Sequence, residues 1–137
     1  MNFMSKRVII LVLLFLTSCG ADREERARLM SDELIKNLAN KGSESYFDTA
    51  FFNREQMTGI LKSVREKCDY KNREGGFINA FTRRSLGTKE SNVFFLYEFH
   101  LSCDSVRFVL NYQLSDPPKL VGFKVEPTET KNFMIIR

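Results

Sequence analysis

The stretch VFFLYEFHLS (93–102), followed after a short polar break by VRFVLNYQL (106–114), decides the fold. Large apolar or aromatic residues recur at alternate positions in both segments, the period of a strand with one buried face. With Asp104-Ser105 as the turn, the two strands pair antiparallel. The expected partners are Cys103 with Val106, Leu101 with Phe108, Phe99 with Leu110, Tyr97 with Tyr112 and Phe95 with Leu114. A four-residue turn leaves the same side chains on that face, whereas a three-residue turn would exchange the faces.

The neighbouring segments extend this hairpin. Asp116-Pro117-Pro118-Lys119 makes the next turn and puts Val121, Phe123 and Val125 on the hairpin's apolar face. The apolar residues 133–136 are an edge strand or a tail. Upstream, residues 77–86 form a strand of ambiguous facing, preceded by a polar loop over 70–76 that Gly75-Gly76 closes. Before that loop the period changes to 3.6. Asn53 followed by Gln56 reads as a capping box for a helix running to Cys68, with Met57, Ile60, Leu61 and Val64 on one side. An earlier helix runs from an Asp22 cap to about Asn40, with Ala27, Met30, Leu34, Ile35 and Leu38 inward and Gly42 as its stop. The aromatic residues between, 43–52, form a short helical turn on the core. Helices first and strands after predict an α+β fold: N-terminal helices on one face of a curved, cone-like antiparallel sheet of three to five strands.

The chain has 137 residues, 43% hydrophobic and 28% charged, with a formal net charge of +4. This composition excludes a disordered chain and fits a single domain with its own core. The first residues are set apart from that domain. Lys6 and Arg7 precede nine apolar residues, VIILVLLFL (8–16), and Thr17 and Ser18 follow. A spanning helix needs roughly 20 apolar residues, so the run has the layout of a secretory signal. The expected division is a cleaved signal over residues 1–18 and one domain over 19–137.

Leu16-Thr17-Ser18-Cys19 resembles a bacterial lipobox, and the chain is similar over residues 1–20 to bacterial prolipoproteins. The resemblance implies that the Cys19 thiol receives a diacylglycerol, that cleavage falls just before it, and that the new amino group is acylated. Two or more acyl chains anchor a protein stably where one does not. Gly20 and Ala21 are not the aspartate of an inner-membrane retention signal, which implies the periplasmic face of the outer membrane in a Gram-negative host. The order of elements and the strand-turn-strand stretch 106–126 resemble the cone-shaped nuclear transport factor 2-like fold seen among small envelope lipoproteins. A cystatin-like arrangement fits equally. Such folds carry enzymes and inert scaffolds alike.

Three cysteines are an odd count for an exported protein. With Cys19 acylated, Cys68 and Cys103 remain, one ending a helix and the other ending a strand on the apolar face. An oxidising periplasm favours a Cys68–Cys103 disulfide, the alternative being two buried free thiols.

Motifs for chemistry are scarce. His100 is the single histidine, which excludes a two-histidine metal site, and no cysteine spacing suggests zinc. Gly75-Gly76 is no phosphate loop and no serine stands in a G-x-S-x-G elbow. No cofactor and no catalytic residue are expected. Basic residues concentrate between Lys62 and Arg84, seven against three acidic, as a solvated face or a patch for anionic headgroups. Export makes nucleic acid an improbable partner. On the second face of the sheet Phe94, Leu96, Val109 and Leu120 mix with Glu98, His100, Asn111 and Lys124. A half-apolar face rimmed by charge is a candidate binding surface, unless residues 43–52 or the tail cover it. The expectation is a lipid-anchored, non-catalytic module that binds an envelope or exported protein, as an assembly accessory or an immunity-type inhibitor. The alternative is a small-ligand or hydrolytic domain using a mouth near His100 and Glu98.

Overall fold

A computed structural model of the protein describes residues 19–84, 86–87 and 90–128, with side chains from Asp22 onward. The expected signal over residues 1–18, the Cys19 thiol and the apolar stretch 133–136 lie outside the described residues. Two helices, α1 (Cys19–Asn37) and α2 (Arg54–Lys67), pack on one face of an open sheet with strands β1 (Glu74–Arg84), β2 (Ser91–His100), β3 (Ser105–Gln113) and β4 (Lys119–Pro127). The strands follow one another in the order β1-β2-β3-β4, every pair antiparallel. This is the expected α+β architecture, with four strands.

Helix α2 forms where its cap predicts. The Asn53 side chain accepts the Gln56 N–H at 3.0 Å, and Met57, Leu61 and Val64 are buried. Helix α1 differs in its start, its end and its seam: it begins at Cys19, so Asp22 lies within its first turn and is not the cap. It stops at Asn37, and Gly42, in the left-handed region at φ 86°, precedes a 3-10 turn over Ser43–Tyr46. The buried seam is Ala27, Ser31, Leu34, Ile35 and Leu38, while Met30 is exposed. Ser31 belongs there because the Tyr97 hydroxyl, 2.9 Å away, satisfies its buried oxygen.

The β2–β3 hairpin keeps its expected faces in a different register. Phe99 pairs with Val106, Tyr97 with Phe108, Phe95 with Leu110 and Val93 with Tyr112. Each partner lies four positions earlier than the alternation alone suggested, an even shift that exchanges no side chain between faces. The turn occupies residues 101–104, closed by Leu101 N–H donating to the Asp104 carbonyl at 2.9 Å. Cys103 therefore lies in the turn and not in a strand. Its disulfide to Cys68, with the Cα atoms 4.6 Å apart, joins that turn to the residue that ends α2. The Ser102 N–H also donates to the Cys68 carbonyl.

Two bulges alter the facing of the outer strands. In β4 the register shifts between Asn111 and Tyr112, so Phe123 and Val125 face the core but Leu120 joins them in place of Val121. Leu120, expected on the second face, is 7% exposed. In β1 the shift falls at Ile78, which sets Phe77 against Tyr97 on the helix side and Phe81 against Phe94 on the other.

The expected loop over 70–76 is also corrected. Tyr70 is 1% exposed in a short 3-10 turn, and Gly75 and Gly76 are already in β1. The Tyr70 hydroxyl donates to the Ile35 carbonyl at 2.5 Å, satisfying a group near the end of α1. Gly75 has φ 123°, and a Cβ there would lie 2.2 Å from the Glu98 carbonyl oxygen. Gly75→Ala is therefore expected to cost about 2 kcal/mol or more in urea unfolding, through left-handed strain and backbone collision together. The same change at Gly76, where a Cβ meets nothing within 4 Å, is the control.

Candidate functional site

The face of the sheet turned away from the helices carries the expected binding residues. Residues 43–52 do not cover it. Phe47 is buried on the helix side, with its ring 5.2 Å from those of Phe52 and Phe123. Among the described residues no helix or strand lies over the second face.

Strand register sets the face out in rows. Phe94 lies beside Asn111 and Gly122, Leu96 beside Val109 and Lys124, Glu98 beside Arg107 and Glu126, and His100 beside Ser105. The Phe81 ring stacks on Phe94 at 4.8 Å, with the planes 7° apart. One end of the face is therefore aromatic, the middle aliphatic and the other end ionic. Glu98 Oε1 accepts from Arg107 Nε at 3.0 Å and from Nη2 at 2.6 Å. Glu126 sits 3.8 Å from Arg107 Nη1 and 2.9 Å from Lys124 Nζ. Pairs this open to water add only about 0.2–1 kcal/mol each to stability. Their alternation instead fixes a charge pattern that a partner must match, which is how rim charges confer specificity.

His100 stands at the exposed end of β2, its Nδ1 2.5 Å from Ser105 Oγ. A hydroxyl beside an imidazole is the first element of an activated nucleophile, but catalysis also needs an orienting acid and a site for substrate. The neighbouring carboxylate, Glu98, directs both of its short bonds to Arg107. Cavities lie elsewhere on the domain. One of about 580 Å³ is bounded by Gly42, Phe47 and Met57, and one of about 440 Å³ by Ile60, Leu101 and Val125. A third of about 260 Å³ lies between Met30, Phe51 and Leu120. Neither His100 nor Glu98 lines any of them.

Two of the seven basic residues in the run 62–84, Arg65 and Arg73, are engaged within the fold. Arg65 binds Glu44 at 2.6 Å and the Ser43 hydroxyl at 3.2 Å. Its own backbone amide and the Arg65 guanidinium hold the Glu44 carboxyl below the usual carboxylate range. The Arg73 guanidinium lies over the Tyr70 ring at 4.4 Å and the Phe99 ring at 5.6 Å. Both arginines serve the fold. Burial pushes the phenols of Tyr70, Tyr97 and Tyr112 well up, so they stay protonated; Tyr97 is raised further by the Asp32 carboxylate 2.6 Å from its hydroxyl.

Phe81 and Glu126 also belong to this face and are not among the residues that the sequence singles out. Arg107 and Glu126 were legible from strand parity. Phe81 was not, because Phe77 and Phe81 share a parity and only the bulge at Ile78 separates them. Among the described residues no group of three His, Cys, Asp or Glu side chains could hold a metal ion, and no helix is long and apolar enough to cross a membrane. No protein-family model, no curated protein and no solved structure matches the chain.

Proposed function

We propose that the protein is a lipid-anchored cell-envelope lipoprotein whose single domain is a non-catalytic protein-binding module. The anchor is assigned to Cys19 on the Leu16-Thr17-Ser18-Cys19 motif, and the membrane to the periplasmic face of the outer membrane in a Gram-negative host. The observation that carries the binding reading is a sheet face that no described helix or strand covers, where Phe94, Leu96 and Val109 adjoin Glu98, His100 and Lys124. A sheet surface of mixed apolar and ionic character, whose Glu98 and His100 line none of the cavities described above, suits another protein surface better than a small molecule, which needs a concave site. The partner class is an envelope component or an exported protein that the module assembles with or blocks.

Two measurements on the native envelope test this. The non-reduced intact mass should equal residues 19–137 plus a diacylglyceryl group, with or without a third acyl chain on the amino group, less two hydrogens for the disulfide. A chain that keeps residues 1–18, or a cut chain without lipid, would overturn the anchor. A photo-crosslinking side chain at Leu96 should give a discrete protein adduct, and one at the exposed Glu55 of α2 should give none. No adduct at Leu96, or equal adducts at both, would overturn the face assignment. In a folded, anchored His100→Ala variant that keeps the Leu96 adduct, the cellular phenotype should also be kept, and its loss there would refute the non-catalytic reading.

A further inference from the structure

We propose that β1 is a docking edge for a second copy of this chain, the two strands pairing antiparallel about Phe81. β1 ends the sheet, and among the described residues no strand lies along its outer side. Helix α1 covers only its inner face, with the Arg28 guanidinium 3.3 Å from the Phe77 ring centre and Glu24 accepting from Thr82. Eleven residues long and exposed almost throughout, β1 also carries Phe77, Ile78 and Phe81 among the exposed large hydrophobics, Ile78 at 55% and Phe81 at 49%. Such an edge is a ready template for strand addition.

The strand's own pattern suits a second copy centred on Phe81. Its register against β2 puts Asn79, Phe81 and Arg83 on the open face, and Ala80 and Thr82 on the helix side. Antiparallel pairing about Phe81 sets Asn79 opposite Arg83 of the second copy, Ala80 opposite Thr82, and Phe81 opposite itself. Every pair then has both members on one face, whereas a slip of one residue would oppose the two faces. The Asn79 carboxamide can accept from the facing Arg83, which has no carboxylate partner among the described residues. The two Arg83 positions lie about 14 Å apart along the strands, beyond the roughly 8 Å screening length at physiological salt.

Two features set the extent of the contact. The Phe94–Phe81 stack would continue into the stack of the second copy as a four-ring row. The bulge at Ile78 reverses the facing beyond Asn79 and ends the pairing there. Docking displaces one local bond, from the Ala80 N–H to the Asn79 side-chain oxygen at 2.8 Å. Because the same edge serves both copies, the contact is isologous and closes as a dimer with one eight-stranded sheet. This inference depends neither on the acyl anchor nor on the partner proposed for the open face.

The test uses the full chain in detergent micelles. Sedimentation should give a protein mass of two chains, and Phe81→Lys, which faces two ammonium groups across the symmetry axis, should give one. Residues facing each other across an antiparallel pair have Cα atoms about 4.5–5.5 Å apart, within disulfide range. Phe81→Cys should therefore cross-link to itself on mild oxidation. Asn79→Cys, whose copies stand about 14 Å apart, should yield at least tenfold less. A single-chain mass at every concentration would overturn the proposal. So would a dimer that survives Phe81→Lys, or cross-linking as strong from Asn79→Cys as from Phe81→Cys.

Discussion

Cys103→Ser should lower the midpoint of thermal unfolding by roughly 15 °C, from about 4 kcal/mol of lost stability on the chain-entropy model. The bridge spans a sequence separation of 35 and fastens the end of α2 to the β2–β3 turn, so cutting it frees a large loop in the unfolded chain. It also releases the turn that sets the hairpin register. Melting followed by circular dichroism should give the same shift for Cys103→Ser, for Cys68→Ser with Cys103→Ser, and for the parent chain under a reductant. An unchanged midpoint in all three would mean that the bridge adds nothing to stability. A shift in the single variant alone would trace to the stranded thiol.

Phe108→Ala should be comparably damaging, at about 3–5 kcal/mol in urea unfolding. Its side chain is fully buried, and its ring lies about 6 Å from those of Tyr70, Phe99 and Phe123. Truncation leaves a ring-sized void among side chains fixed by β2, β3, β4 and the 3-10 turn at Tyr70, none of which can collapse alone. The control is Phe81→Ala on the opposite face, with both variants unfolded at protein concentrations low enough to keep the chain monomeric. That ring is about half exposed, and its loss should cost about 1 kcal/mol or less. A domain of this size has a total of about 5–15 kcal/mol, so Phe108→Ala brings it near the limit of folding and Phe81→Ala does not. Equal losses at the two sites would contradict the sidedness of the sheet.

That sidedness was largely legible before the structure was known. The alternation from Val93 to Leu114 fixed which side chains turn inward, and it survived a four-position change in pairing because the change was even. The α2 cap and its three buried residues followed from spacing alone. The bulges at Ile78 and near Val121 did not, since an extra residue in a strand leaves no compositional mark and shows itself only through a partner strand. For that reason Leu120 was assigned to the wrong face and Phe81 to none. Ser31 and Tyr70 were missed for another reason. Polar groups enter a core when a partner elsewhere satisfies them, here Tyr97 and the Ile35 carbonyl, and neither pairing is local in sequence.

The start of α1 carries a consequence of its own. The helix is already formed at Cys19, the residue assigned to the acyl anchor, and runs unbroken to Asn37. An anchor there comes without a leash. A flexible tether of n residues would add about 5–6 Å × √n of reach, and this domain would have none of it. With the proposed anchor at Cys19 the domain would stand directly on the bilayer, and a body of this size would extend roughly 35 Å from the surface. On that proposal, whatever meets its second sheet face would have to come within that height, as a neighbour in the same leaflet or as a molecule passing close above the membrane.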